Sequence, residues 1–160
     1  MMEEKEKAWK TVSSKYLFRR PWLTVRCEDM LLPNGNHIPE YYILEYPDWV
    51  NTIAITKDGK FVFVRQYRPG LGRTSYELCA GVCDKEDASP LVSAQRELWE
   101  ETGYGKGNWQ EYMVISANPS THTNLTHCFL ATDVEPIDHQ HLEDTEDLSV
   151  HLLTFEEVKQ

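Results

Sequence analysis

Three glutamates at helical spacing are the strongest local constraint on how this chain can fold. Glu97, Glu100 and Glu101 stand at positions i, i+3 and i+4, which places them on one face of a helix because an α-helix turns once every ~3.6 residues. Like charges at this spacing repel each other by roughly a few tenths of a kcal/mol per pair. A bound divalent cation would remove this repulsion. From the spacing alone, an ordinary acidic helix surface remains an equal alternative.

The flanking residues predict where this helix begins and ends. Ser89 followed by Pro90 is typical of a helix start, with serine as the N-cap and proline in the first turn, where its missing N–H is not needed. Gly103 supplies the stop signal. Apolar residues recur between these positions at helical spacing, which predicts a buried stripe and a carboxylate face directed away from the core. The stripe consists of Leu91, Ala94 and Leu98.

The segment from Gly81 to Tyr104 resembles the signature of the Nudix hydrolase family, G-x5-E-x7-R-E-U-x-E-E-x-G-U, in which U is a bulky apolar residue. We call the helix that carries it the box helix. The first half has one residue more than the signature, and Ala88 stands where the first glutamate is usual, so Glu86 or Asp87 is the expected replacement. The second half is in register at Arg96, Glu97, Leu98, Glu100, Glu101, Gly103 and Tyr104.

Features outside the signature are similar to those of the ADP-ribose pyrophosphatase and nucleoside diphosphate sugar hydrolase branch of this family. They are residues 64–69, the Glu77-Leu78-x-Ala80-Gly81 stretch, Pro119 fifteen positions after Tyr104, and the acidic loop at 143–147. Two departures bear on which sugar is accepted. Cys79 replaces the usual proline before the Ala-Gly pair, and residues 119–124 are not of the common Ser-Pro-Gly type.

The resemblance implies an α+β fold, a Nudix-type α/β/α sandwich with a mixed β-sheet, the box helix packed on it and an N-terminal antiparallel hairpin. We expect residues 1–47 to form a β-hairpin subdomain, which serves dimerisation and forms a wall of the substrate site, and residues 48–160 to form the catalytic domain. Hydrophobic alternation and turn residues predict hairpins at 22–32 with 37–45 and at 50–56 with 60–65. Further strands are expected at 109–117, 126–131 and 148–153, and a helix at 155–159. The sequence ends as that helix begins, so we expect this terminal element to be incomplete.

The resemblance also implies a metal centre that holds Mg²⁺, with Mn²⁺ as an alternative. Carboxylate and carbonyl oxygens are the ligands that these hard cations prefer. Glu100 is expected to hold either a metal ion or the water molecules around it. The implied ligands are the backbone carbonyl of Ala80 and the side chains of Glu97, Glu100, Glu101 and Glu146.

The resemblance implies catalytic roles for four residues, which are Glu146, Asp144, Arg96 and Glu100. Glu146 is the candidate general base, with Asp144 as the alternative, although a run of acids is also typical of a solvated loop. Arg96 is expected to pair with Glu100 or a neighbouring carboxylate and to orient it. A simple i, i+4 surface ion pair is the alternative for Arg96.

Substrate contacts are expected from two groups of residues. The guanidinium groups of Arg65 and Arg68 suit a phosphate or a sugar acid, but a structural ion pair is equally expected for each. Phe18 or Trp22 could cover the face of a nucleotide base, or both could pack the sheet or a dimer contact. The complete set is Arg65, Arg68, Glu77, Phe18, Arg19 and Trp22.

Composition narrows the class of partner. The formal net charge is −10, and residues 133–160, with nine acidic residues and one lysine, carry −8 of it. Such a surface repels a nucleic acid polymer. No apolar run approaches the ~20 residues needed to cross a bilayer, and the charged residues 1–7 do not resemble a secretory signal. We therefore expect a cytoplasmic protein without membrane association. The resemblance implies that it is a homodimer that acts on a small nucleoside diphosphate sugar.

Other interpretations stay open at this point. The chain could be a nucleoside triphosphate or oxidised nucleotide pyrophosphohydrolase, or a non-catalytic Nudix module that binds a nucleotide sugar. The four cysteines form no C-x-x-C pair and are expected to be buried or half-buried thiols. His139 and His141 lie in an acidic loop at no standard zinc-ligand spacing. Five histidines are interpreted as loop or core residues: His122, His127, His139, His141 and His151.

Overall fold

The computed structural model describes residues 7–160, which divide into two units. One unit comprises the chain up to Tyr46 together with Ser116–Asn124, and the other comprises Pro47–Ile115 and Leu125–Gln160. Residues 1–6 lie outside the described residues. They belong to the charged N-terminal segment from which we predicted that no secretory signal is present. The division of the chain into functional domains at residue 47 stays a prediction.

The first unit contains a three-stranded antiparallel sheet in the order β1 (Lys10–Arg20), β2 (Leu23–Leu31) and β3 (His37–Glu45). Strands β2 and β3 form the predicted hairpin, and Gly35 in its turn has a φ of +85°, which glycine adopts without a Cβ clash. The sequence did not predict β1. All eleven of its residues are exposed, so it lacks the alternation by which a half-buried strand is recognised.

The second unit contains a mixed sheet of eight strands. Its main path is β11-β5-β4-β10-β8, with β6 beside β5, β7 beside β4 and β9 beside β10. The β4–β10 pair is parallel and the other pairs are antiparallel. The strands are β4 (Trp49–Thr56), β5 (Phe61–Arg68), β6 (Arg73–Glu77), β7 (Cys79–Val82), β8 (Tyr104–Gly105), β9 (Asn108–Ile115), β10 (Thr126–Pro136) and β11 (Leu148–Leu153).

These bounds confirm the predicted mixed sheet. The sheet also contains three strands that were not predicted, and one strand is longer than predicted. Strands β6, β7 and β8 were not predicted, since none has more than five residues and such short segments show little periodicity. Strand β10 continues five residues beyond the predicted end at residue 131. The last helix, α2 (Phe155–Val158), begins at the predicted residue. No helix in residues 7–160 is long and apolar enough to cross a membrane.

The box helix, α1 (Pro90–Thr102), has the predicted ends. The Ser89 side chain accepts a hydrogen bond from the backbone of the first turn, and Gly103 adopts a φ of +73° at the C-cap. The helix packs against β7 and β4 and buries Ala94 and Leu98 in the core. The prediction for Leu91 was wrong, because this first-turn residue is exposed.

The prediction that the whole carboxylate face is directed away from the core was also wrong. Glu101 is only 5% exposed. It lies seven residues after Ala94, a spacing of about two helical turns, and therefore shares the face that packs on the sheet. The box helix thus carries a carboxylate into the interior of the second unit, beside the apolar cluster that contains Cys79 and Leu98.

Candidate functional site

Gly81, at the start of the signature, lies directly against Glu97. A Cβ atom built on Gly81 would overlap the carboxylate carbon and both carboxylate oxygens of Glu97. Because Gly81 has no side chain, the Glu97 carboxylate can occupy the space beside this position of β7. Strand β7 pairs with β4, so the sheet fixes this glycine opposite the box helix.

Glu101 lies deeper, beside the residues that precede Gly81. Burial raises the pKa of its carboxylate, and the neighbouring Cys79 thiol and Ala80 backbone N–H oppose that rise. Its second oxygen, Oε2, is buried and has no hydrogen-bond partner within residues 7–160. A buried carboxylate oxygen without a partner is costly, and a cation would satisfy it.

The electrostatics of the buried Glu101 and the half-buried Glu97 agree with a cation site. Burial, reinforced by the charges of Glu97 and Glu146, raises the pKa of Glu101 to about 7. Burial also raises the pKa of Glu97, opposed by Arg96 and reinforced by Glu100 and Glu146. Without a counter-charge these groups therefore resist ionisation. The donor set of clustered carboxylate oxygens fits a hard divalent ion.

Arg96 forms hydrogen bonds with two carboxylates of the box helix. Its Nη1 donates to Glu97 Oε1 at 2.9 Å and to Glu100 Oε2 at 3.0 Å. Its Nη2 donates to the backbone carbonyl of Val82 at 3.1 Å. The arginine therefore links two signature glutamates to the end of β7, which is more than a simple i, i+4 surface pair.

The structure distinguishes the two candidates for the first signature glutamate. Asp87 Oδ2 accepts hydrogen bonds from Arg96 Nε at 3.2 Å, from Arg96 Nη2 at 3.0 Å and from Ser93 Oγ at 2.8 Å, whereas Glu86 is exposed. Burial alone would raise the pKa of Asp87, but the hydrogen bonds from Arg96 and Ser93 outweigh it and lower the pKa. Of the two candidates, Asp87 is therefore the one that contacts the box helix, and its role as the replacement stays a prediction.

Two of the predicted substrate residues are brought together. Arg68 and Glu77 form a two-point ion pair, with Nε–Oε1 at 3.0 Å and Nη2–Oε2 at 2.7 Å, and the charge of Glu101 also acts on Arg68. Arg65 does not join them. It is exposed, and its guanidinium lies 5.7 Å from the centre of the Tyr76 ring. The ion-pair alternative thus describes Arg68 but not Arg65.

The two acidic-loop candidates differ in their surroundings. Both Asp144 and Glu146 are exposed in the loop before β11. The charge of Glu146 contributes to the raised pKa values of Glu97 and Glu101, which places it near the buried carboxylates. The backbone N–H of Glu143 donates to Glu146 Oε2 at 2.9 Å, so the loop presents this side chain in a defined position.

The aromatic candidates belong to the first unit. Phe18 and Trp22 are 55% and 70% exposed, at the end of β1 and in the turn that follows it. The Arg19 guanidinium lies 4.0 Å from the centre of the Tyr16 ring. Both aromatic rings are therefore mostly exposed in this unit, and their part in base stacking or in packing stays a prediction.

Sequence reasoning missed Cys79 and Ser93 as site residues. The Ser93 hydroxyl donates a hydrogen bond to Asp87, and the Cys79 thiol lies beside the Glu101 carboxylate, where it opposes the rise in pKa that burial causes. The departure from proline at Cys79 was the only signal, and it was interpreted as a determinant of the sugar. All four cysteines are free thiols, and Cys83 is the half-buried one, as expected.

Comparisons with known proteins agree with this geometry. The family model described as NUDIX domain matches residues 46–160, and the one described as nucleoside diphosphate sugar hydrolase N-terminal domain matches residues 9–44. A solved structure titled as that of an ADP compounds hydrolase superposes with a TM-score of 0.83 over 98% of this chain and 84% of that one, at 21% identity. This likeness confirms the predicted fold.

Three curated relatives are similar in sequence. The ADP-ribose pyrophosphatase of Bacillus subtilis (strain 168) is 31% identical over 92% of this chain and 80% of its own length. A methanol dehydrogenase activator of Bacillus methanolicus is 33% identical over 76% of this chain and 65% of its own length. The ADP-ribose pyrophosphatase of Mycobacterium tuberculosis (strain ATCC 25618 / H37Rv) is 28% identical over 82% of this chain and 63% of its own length.

Proposed function

The chain belongs to the Nudix family of hydrolases, and we propose that it cleaves the diphosphate bond of a nucleoside diphosphate linked to a sugar, either ADP-ribose or a nucleotide sugar. The products are a nucleoside monophosphate and a sugar phosphate. The description of the N-terminal family and the names of two relatives support this substrate class.

The observation that carries the proposal is the unpartnered Oε2 of Glu101 beside the carboxylate of Glu97. Nudix hydrolases generally use divalent metal ions. The Oε2 atom of Glu101 and the carboxylate oxygens of Glu97 are suitable ligands for such an ion. A bound Mg²⁺ or Mn²⁺ ion supplies positive charge against the diphosphate oxygens and makes water a better nucleophile. The proposed ligands are the Ala80 carbonyl and the side chains of Glu97, Glu100, Glu101 and Glu146.

The remaining groups orient the carboxylates, bind the substrate or accept a proton. Arg96 holds Glu97 and Glu100 in fixed positions through its two hydrogen bonds from Nη1. Glu146 takes the proton of the attacking water at its carboxylate, with Asp144 as the alternative base. Substrate contacts come from Arg65, Arg68 and Glu77, of which the last two form a preformed pair.

The metal site is tested by Glu101→Gln, which keeps the shape of the side chain and removes its charge. We expect turnover to fall by ~10² or more while the fold persists. Glu86→Gln is the matched control, since that glutamate is exposed in the loop before the box helix. Turnover of Glu101→Gln at the rate of the control would contradict the assignment.

The substrate class is tested by a panel with phosphatase-coupled detection. It comprises ADP-ribose, ADP-glucose, GDP-mannose, UDP-glucose, NADH and 8-oxo-dGTP. We expect the highest kcat/KM for a diphosphate-linked sugar. Preference for 8-oxo-dGTP would instead identify an oxidised nucleotide pyrophosphohydrolase, and binding of a sugar nucleotide without hydrolysis would identify a non-catalytic module.

The general base is tested by comparing Glu146→Gln with Asp144→Asn. Removal of a general base typically costs 10²–10⁴-fold in kcat, so the two variants should lose activity by unequal factors, with the larger loss at Glu146. Its charge acts on both buried carboxylates. Equal and small losses would show that the loop is solvated surface.

A homodimer is also part of the proposal, with Phe18, Arg19 and Trp22 contributing to the substrate site. The exposure of Phe18 and Trp22 supports it, because stacking on a base is worth ~1–3 kcal/mol in single-stranded nucleic acid sites. Trp22→Ala should remain dimeric by light scattering and bind substrate more weakly. A monomeric wild-type protein that is fully active at micromolar concentration would refute the dimer.

A further inference from the structure

Residues 137–141, here called the capping loop, follow β10 and contact the C-terminal end of the box helix. The His141 backbone N–H donates to the Glu100 carbonyl at 2.8 Å, and the Gln140 side-chain amide donates to the Glu101 carbonyl at 2.7 Å. A helix leaves its last carbonyls without partners inside the helix. The capping loop satisfies two of them and is itself held in place by these bonds.

Three side chains of the capping loop converge on one point. His139 Nδ1 lies 2.7 Å from Asp138 Oδ1, and His141 Nε2 lies 3.0 Å from Asp138 Oδ2. One potential ligand atom from each residue lies within 4.8 Å of the other two. The His141 ring also stacks on Trp99 with 4.2 Å between ring centres, so this imidazole has a fixed orientation.

The donor set differs chemically from that of the buried carboxylates. Two imidazole nitrogens with one carboxylate oxygen suit Zn²⁺ and similar transition-metal ions, whereas Mg²⁺ prefers oxygen ligands only. Asp138 and His139 are exposed, so an ion in solution can reach them. Three protein ligands leave the fourth position of a tetrahedral ion to water.

We propose that Asp138, His139 and His141 form a second metal site, for a transition-metal ion of the Zn²⁺ type, separate from the carboxylates that the box helix directs into the core. An ion bound there joins three residues of the capping loop through their side chains. Because the same loop bonds the carbonyls of Glu100 and Glu101, the ion stabilises the end of the box helix by binding only the folded arrangement.

The site is tested with the full chain, freed of metal and titrated with Co²⁺, with Zn²⁺ then used in competition. A four-coordinate Co²⁺ ion with nitrogen ligands absorbs visible light far more strongly than a six-coordinate ion with oxygen ligands, so the spectrum separates this site from the box carboxylates. In His139→Gln and Asp138→Asn, the Zn²⁺ affinity should fall by at least about tenfold. His37→Gln is the matched control, since His37 is also an exposed histidine paired with an aspartate.

A further variant separates this site from the proposed catalytic centre. Glu101→Gln should keep the strong Co²⁺ spectrum and the same Zn²⁺ affinity as the wild-type chain. Three results would overturn the proposal: a wild-type spectrum typical of oxygen ligands only, unchanged Zn²⁺ affinity in both His139→Gln and Asp138→Asn, or loss of the strong spectrum in Glu101→Gln.

Discussion

The buried carboxylate of Glu101 should destabilise the metal-free protein at neutral and alkaline pH. Burial raises its pKa from the ordinary 4.5 to about 7, so between these values the folded state binds more protons than the unfolded state. The free energy of unfolding therefore falls as the pH rises through this window, and the loss is complete above about pH 7. A shift of this size corresponds to about 3 kcal/mol.

Glu101→Gln removes this dependence, because glutamine has the shape of the protonated acid and no proton to lose. At about pH 8 the metal-free variant should be more stable than the wild-type protein by up to about 3 kcal/mol, and near pH 4.5 the two should be similar. The variant that loses catalysis should therefore gain stability, as expected when a functional site holds an unfavourable buried charge.

Chemical denaturation in the presence of a chelator measures this difference at both pH values. Glu86→Gln is again the control, because it removes the same charge from an exposed position. Mg²⁺ added at about pH 8 should stabilise the wild-type protein more than Glu101→Gln, since the cation takes the place of the proton. If the wild-type protein and Glu101→Gln lose the same stability between the two pH values, the argument from burial is wrong.

Three further changes test the contacts around the buried carboxylates. Gly81→Ala places a methyl group where the Glu97 carboxylate lies, and its kcat should fall by about 10²-fold in steady-state kinetics. Cys79→Ala removes the polar thiol beside the buried Glu101 carboxylate and should weaken Mg²⁺ binding by about tenfold in calorimetry, whereas Cys79→Ser should retain most of the affinity. Asp87→Asn weakens three hydrogen bonds, two of them from Arg96, and should lower the free energy of unfolding by about 1–3 kcal/mol in chemical denaturation.

The box helix could be predicted closely because its signals are local. Ser89, Pro90 and Gly103 mark its ends through backbone chemistry that acts within one turn. The hairpin formed by β2 and β3 was predictable for the same reason, since its turn residues and alternating side chains are neighbours in the sequence.

The orientation of the helix on the sheet was less predictable. Spacing shows that Glu97, Glu100 and Glu101 share a face, but burial depends on which part of that face meets the sheet. A glutamate is rarely buried without a partner, so the sequence favoured an exposed position for Glu101. The choice between Glu86 and Asp87 also stayed open, because an irregular loop has no periodicity to show which side chain turns towards Arg96.

Long-range contacts, rather than spacing, determine how the signature glutamates are held. The Glu101 side chain lies beside Cys79 and Ala80 of β7, and its carbonyl accepts a hydrogen bond from Gln140, 39 residues later in the chain. The Glu100 carboxylate accepts a hydrogen bond from Arg96, and the Glu100 carbonyl accepts one from the His141 backbone N–H. Residues distant in sequence thus hold both the side chains and the backbone of the last helical turn. The signature identifies the candidate ligands, whereas their geometry depends on a strand before the helix and a loop after it.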